Sequence, residues 1–139
     1  LLDLGAGWGP IALSLALRAP EARVWAVDVN PRAVDLVRRN AERVSVANVT
    51  PALPDAVPDV RFQGIWSNPP IRIGKQQLHE LLLAWLPRLE LGAEAWLVVQ
   101  KHLGSDSLLR WLDEQPGLAA ERWTSRKTFR VLRVARTEG

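Results

Sequence analysis

Cysteine and methionine are both absent from the 139 residues, and histidine occurs only as His79 and His102. Without cysteine there are no disulfides and no cysteine-ligated zinc, and two histidines argue against a histidine-rich metal site. Long apolar runs are also missing. No run approaches the ~20 residues that cross a bilayer, and no charged segment leading into an apolar one marks a signal peptide. The expectation is a cytoplasmic protein with no membrane partner and no bound metal. With no methionine and a first residue of Leu1, residues 1–139 are expected to be one domain of a chain lacking its N-terminal part. An apolar content of 47% is enough to bury the core of such a domain.

The net charge is +3 and the isoelectric point about 10.2, a balance that suits an anionic partner such as nucleic acid. Fifteen of the eighteen basic residues are arginine, and a base-composition bias explains that equally well. The excess is concentrated near the end. Between Ala119 and Gly139, Arg122, Arg126, Lys127, Arg130, Arg133 and Arg136 face only Glu121 and Glu138.

Read in order, Leu1 to Leu4 looks like a buried strand that runs into Gly5-Ala6-Gly7-Trp8-Gly9. Pro10 suits the first position of a helix ending near Pro20, with Ile11, Leu13, Leu15, Ala16 and Leu17 as its apolar residues. Glycines in such a turn allow positive φ and close approach of the backbone to a ligand. Arg23 to Asp28 predicts a second strand closed by an acid. Asp28 lies 19 residues beyond Gly9, where a carboxylate can reach a ribose held over the turn; a turn or capping role is the alternative. Asn30-Pro31 opens a helix with Ala33, Val37, Ala41 and Val44 at helical spacing. Val49 to Leu53 predicts an edge strand broken by proline, followed by a loop.

Arg61 to Trp66 then predicts a central strand, and behind it stands Ser67-Asn68-Pro69-Pro70. Two prolines end strand pairing and stiffen the chain. The Asn68 amide oxygen and the Ser67 and Pro69 carbonyls form a non-titrating cluster suited to accepting hydrogen bonds from an amine. Leu78, Leu81, Leu82, Trp85 and Leu86 make a core helix stopped by Pro87, with His79 as a structural residue. Ala93 to Gln100 predicts a strand, Ser105 a cap for a helix bearing Leu108, Leu109 and Leu112, and Leu118–Thr124 with Thr128–Ala135 a final antiparallel pair. Strands alternating with helices make the fold class α/β, a mostly parallel sheet flanked by helices with a C-terminal antiparallel hairpin.

Asp3-Leu4-Gly5-Ala6-Gly7-Trp8-Gly9 resembles the DxGxGxG motif of class I S-adenosylmethionine-dependent methyltransferases, and Ser67-Asn68-Pro69-Pro70 resembles their amine-directed tetrad. The run Asn68 to Lys75, with Val98-Val99-Gln100-Lys101, is similar to a narrower branch that includes enzymes methylating the exocyclic amine of guanine in small-subunit ribosomal RNA. The resemblance implies a Rossmann-like methyltransferase fold and S-adenosyl-L-methionine as cofactor. It further implies that Gly5, Gly7 and Gly9 lie against the cofactor, Asp3 is directed at its ammonium group, directly or through water, and Asp28 takes its ribose hydroxyls. The acid that usually contacts adenine has no clear counterpart; Asp55 stands a few residues late, and Gln63 stands where relatives often carry Asp.

By the same resemblance Asn68 and Pro69 are the catalytic pair, holding the amine in line with the methyl donor, and Ser67, Pro70 and Ile71 border the acceptor. Ile71 stands where many relatives carry an aromatic residue that stacks on an extruded base. Arg72, Lys75 and Lys101 are candidates for phosphate contacts, and the arginines of the final hairpin for an RNA groove. The expected activity is methyl transfer to a nucleobase amine, with RNA, ribosomal RNA or a small ribosomal subunit as partner. A protein glutamine amide, a small molecule or DNA adenine is the alternative acceptor, and an inactive RNA-binding module the alternative class. A dehydrogenase fits less well, because GxGxG is not GxGxxG and the tetrad has no task in hydride transfer.

Overall fold

The computed structural model describes residues 1–69, 74–101 and 104–138, which form two compact units, Leu1–Val60 and Arg61–Gly139. Pro70, Ile71 and Arg72, three of the expected acceptor residues, lie outside the described residues.

The first unit alternates strands and helices: β1 (Leu2–Leu4), α1 (Pro10–Arg18), β2 (Val24–Val27), α2 (Pro31–Arg43) and β3 (Val49–Ala52). The strands are parallel in the order β3-β2-β1, with Leu2 opposite Trp25 and Val24 opposite Val49. Pro51 is accommodated within β3, opposite Ala26, where its missing N–H removes no bond that a central strand would need. On α2 the stripe Ala33, Val37 and Ala41 is buried, as helical spacing predicts, but Val44 caps the helix and is half exposed. On α1 the buried pair is Ala12 and Ala16, while Leu17 points to solvent. Small residues bring this helix close to the strands, and Ala12 and Ala16 share one core with Val24, Ala26 and Val37.

One side chain outside every motif ties this unit together. The Asn48 amide donates to the carbonyls of Ala16, Ala19 and Ala22 at 3.1, 3.1 and 2.8 Å. It thereby closes the C-terminal end of α1, whose last carbonyls have no partner within the helix.

The second unit holds β4 (Phe62–Ser67), α3 (Lys75–Trp85), β5 (Leu89–Gln100), α4 (Ser105–Asp113), β6 (Leu118–Ser125) and β7 (Phe129–Arg136). Strands β4 and β5 are parallel, and the order continues β5-β7-β6 with both pairings antiparallel. The last strand of the chain is therefore interior and β6 lies at the edge. Their composition accounts for it: Leu132 and Val134 of β7 are fully buried, whereas β6 carries Glu121, Arg122 and Trp123 outward.

Three expectations are corrected here. Strand β5 starts at Leu89, four residues before Ala93, directly after a short 3₁₀ turn at Leu86–Arg88 that contains Pro87. Ser105 does not cap α4: Gly104 occupies that position at φ +82°, and Ser105 is the first helical residue, buried and within 3.4 Å of the Arg130 guanidinium. Leu78 belongs to the wall of a cleft, while Leu82, Trp85 and Leu86 do enter the core.

Candidate active site

The first unit contributes a turn. All three motif glycines have positive φ, +79° at Gly5, +59° at Gly7 and +98° at Gly9, a region that costs a residue with a Cβ about 1–2 kcal/mol. At Gly9 a Cβ would also stand 3.1 Å from Val37 of α2, whereas at Gly7 it would meet nothing within 4 Å. The turn is thus packed against its own scaffold at Gly9 and open at Gly7.

Carboxylates and an amide fasten the turn. One oxygen of Asp28 accepts the Gly7 N–H at 3.0 Å, and the other accepts the Asn30 N–H at 2.9 Å. The Asn40 side chain of α2 donates to the Trp8 carbonyl at 2.9 Å. Asp3 is buried at 1% exposure and accepts the Ala12 N–H of α1 at 3.0 Å. Its burial raises the carboxyl to a pKa of about 6; the Ala12 hydrogen bond opposes this and the charge of Asp28 adds to it. Asp55 is exposed in a 3₁₀ turn at Pro54–Ala56.

The second unit contributes the tetrad and a cleft. β4 ends at Ser67, as the two prolines require, and Ser67 is buried, Asn68 exposed and Pro69 buried again. Pro69 lines a cleft of about 280 Å3 whose other walls include Lys75, Leu78 and His79 of α3, Val98 of β5 and Leu108 of α4. Mostly apolar walls with a few convergent polar groups characterise ligand sites. His79, which spacing assigns to structure, faces this cleft; its imidazole lies flat on Trp111 of α4, with ring centres 3.6 Å apart and planes at 5°. Lys75 is exposed at the start of α3, Lys101 is half-buried beyond β5, and Gln63 points to solvent beside a bulge in the β4–β5 ladder.

The basic hairpin is less available than its charge suggests. Arg122 and Arg130 both pair with Asp106 of α4, and Arg133 pairs with Glu94 and Glu121. Arg136 donates to the Leu89 carbonyl at 2.8 Å. These arginines hold the β5-β7-β6 ladder and α4 together. Among the described residues, no group of three or more His, Asp or Glu could hold a metal ion, and no helix is long and apolar enough to cross a membrane.

A glycine turn follows β1 with its Gly7 N–H held by the Asp28 carboxylate, and Ser67-Asn68-Pro69 follows at the end of β4. The chain belongs to the methyltransferase small domain family, which it matches over residues 1–133. It is 38% identical over 118 residues to the Bacillus subtilis protein named Uncharacterized protein YbxB, covering 82% of this chain and 59% of that protein. It is 42% identical over 82 residues to the release factor glutamine methyltransferase of Escherichia coli, covering 57% of this chain and 29% of that enzyme. Among solved structures, the T. thermophilus 16S rRNA N2 guanine methyltransferase RsmC, in complex with AdoMet and guanosine, superposes with a TM-score of 0.81 at 25% identity. That match covers 99% of this chain and 37% of RsmC. TrmN from Thermus thermophilus gives 0.75 at 25% identity, over 97% of this chain and 43% of TrmN. The chain thus spans 59% of the Bacillus subtilis protein and less than half of each of the other three. The fold is the Rossmann-like methyltransferase fold, and S-adenosyl-L-methionine is the cofactor.

Proposed function

We propose that this chain transfers a methyl group to the exocyclic amine of a nucleobase, guanine in small-subunit ribosomal RNA. The observation that carries the reading is Ser67-Asn68-Pro69 at the end of β4, with Pro69 turned into a largely apolar cleft. The likeness to RsmC, a guanine methyltransferase by name, runs over 99% of the chain and supports a nucleobase as the acceptor.

The turn fits the cofactor: three glycines bring bare backbone forward, Gly7 faces open space, and the half-buried Asp28 stands beside it. Gly5, Gly7, Gly9 and Asp28 would hold the molecule, with Asp3 bracing α1 behind the turn. When bound, S-adenosylmethionine supplies a methyl group made electrophilic by its sulfonium. The rest of the task is positioning. A nucleobase amine is delocalised into its ring, so accepting its N–H bonds with the Asn68 amide oxygen and the Pro69 carbonyl holds it and favours a pyramidal nitrogen. The same two oxygens stabilise the positive charge that grows on that nitrogen. No strong base is demanded, since the methylated nitrogen is acidic enough to lose its proton to water.

A second reading has a specific observation in its favour. Release factor glutamine methyltransferases share 42% identity with this chain, but only over 57% of it, and an amide nitrogen poses the same chemical problem as a nucleobase amine. Incubating the full-length protein with tritiated S-adenosylmethionine and, side by side, deproteinised RNA, small ribosomal subunits and protein extract separates the two. Label recovered as N2-methylguanine after nuclease digestion is the expected result. Label confined to protein glutamine would replace it with the second reading.

A further inference from the structure

The cleft lined by Pro69 contains one feature that amine positioning does not use. Its polar lining is Lys75 at the start of α3, His79 on the second turn of that helix and Ser107 of α4, and the imidazole of His79 is pinned face to face on Trp111, which comes from a different helix. A half-buried side chain on a core helix gains packing from any apolar residue, so a leucine would serve the core equally well. A stacked imidazole instead spends the face of its ring on Trp111 and keeps its edge in a fixed direction. That edge carries two nitrogens, one a donor and one an acceptor when the ring is neutral. The edge of a purine carries donors and acceptors as well.

We propose that His79 is a specificity-determining residue that recognises the ring of the acceptor nucleobase within this cleft, with Trp111 fixing the orientation in which it does so. The assignment rests on the nucleobase reading given above. The remaining walls near it, Leu78, Val98 and Leu108, are apolar and suit the faces of a flat heterocycle. Partial burial, and then the charge of Lys75, lowers the His79 pKa below its usual 6.5, so the ring is neutral at pH 7 and offers both a donor and an acceptor. Hydrogen bonding to the ring edge discriminates far more steeply than apolar contact does, because a mismatched acceptor leaves polar groups unpaired. His79 supplies that discrimination, while the tetrad selects only for an N–H.

The ring signals of His79 in an NMR spectrum of the full-length protein are assigned by their loss in His79→Phe. Titrating guanosine into the protein with S-adenosylhomocysteine should move the His79 signals saturably. Signals that stay fixed up to millimolar guanosine, or that move with a glutamine-containing peptide instead, would overturn the proposal. Steady-state kinetics give a second readout. His79→Phe keeps an aromatic ring on Trp111 and should raise KM for RNA about 10- to 100-fold, with cofactor affinity and melting temperature unchanged. His79→Gln, which restores a donor and an acceptor, should recover part of that loss. A lower melting temperature and weaker cofactor binding with KM unaltered would make His79 a packing residue and overturn the assignment. Guanosine moving His79 in a protein that methylates no RNA would count against the proposed function alone; methylated RNA with an unmoved His79 would count against this inference alone.

Discussion

Asp28 accepts the backbone N–H of Gly7 at 3.0 Å through one carboxylate oxygen, tying the end of β2 to the middle of the glycine turn. Its other oxygen holds Asn30, the cap of α2. The acid thus shapes the turn, besides the cofactor contact proposed for it. Asp28→Ala is expected to weaken S-adenosylmethionine binding about 10- to 100-fold, the equivalent of one or two charged hydrogen bonds, and to lower the melting temperature too. Calorimetric titration checks the first part; an unchanged Kd would remove Asp28 from the cofactor site.

Gly9 and Gly7 separate two costs that are usually confounded. Gly9→Ala adds a Cβ 3.1 Å from Val37 at φ +98°, whereas Gly7→Ala meets open space at φ +59°. Urea denaturation should show a loss of about 2–4 kcal/mol for Gly9→Ala, from backbone strain plus overpacking, and about 1 kcal/mol for Gly7→Ala. Cofactor affinity should fall more than stability in the second case. Equal stability losses would mean that Val37 yields freely.

Asn68 is exposed at the end of β4, so its removal disturbs no core. Asn68→Ala is expected to lower kcat by about 100-fold or more, the usual effect of deleting one positioned group that stabilises transition-state charge. Cofactor Kd should stay within twofold. A turnover number equal to wild type would refute the role assigned to its amide.

Asp3 predicts a pH dependence whose sign is opposite to that of most carboxylates. Burial raises its folded-state pKa from 3.8 to about 6, so between those values the folded protein binds the proton that the unfolded chain has released. Stability from this group is fully present below pH 3.8 and is lost as pH rises to about 6, by up to about 3 kcal/mol. Asp3→Asn keeps an oxygen for the Ala12 N–H and cannot ionise. It should match wild type near pH 4 and exceed its stability above pH 6, measured by denaturant titration across that range; parallel curves would contradict the burial argument.

The order of strands and helices and the glycine turn were legible because local chemistry specifies them: Pro10 and Pro31 each sit at the first position of a helix, and the tetrad stops β4 where two prolines must. What escaped the sequence depends on residues far apart in the chain. Asn48 reaches three carbonyls 26 to 32 positions away, and no local pattern marks it. The stack of His79 on Trp111 likewise depends on how α3 and α4 pack. The hairpin arginines looked available for RNA because acidic partners such as Asp106 and Glu94 belong to other elements. Conversely, the order β5-β7-β6 could have been inferred, since β7 is the more apolar strand of the pair.

The Asn40 side chain holds the Trp8 carbonyl from behind the glycine turn, and together with the Asp28 bond and the Val37 contact it leaves the loop little freedom to lose. A ligand that enters an already ordered loop forfeits less conformational entropy. Removing the tether in Asn40→Ala should therefore leave the enthalpy of cofactor binding nearly constant and make its entropy less favourable, a signature that a missing direct contact would not produce.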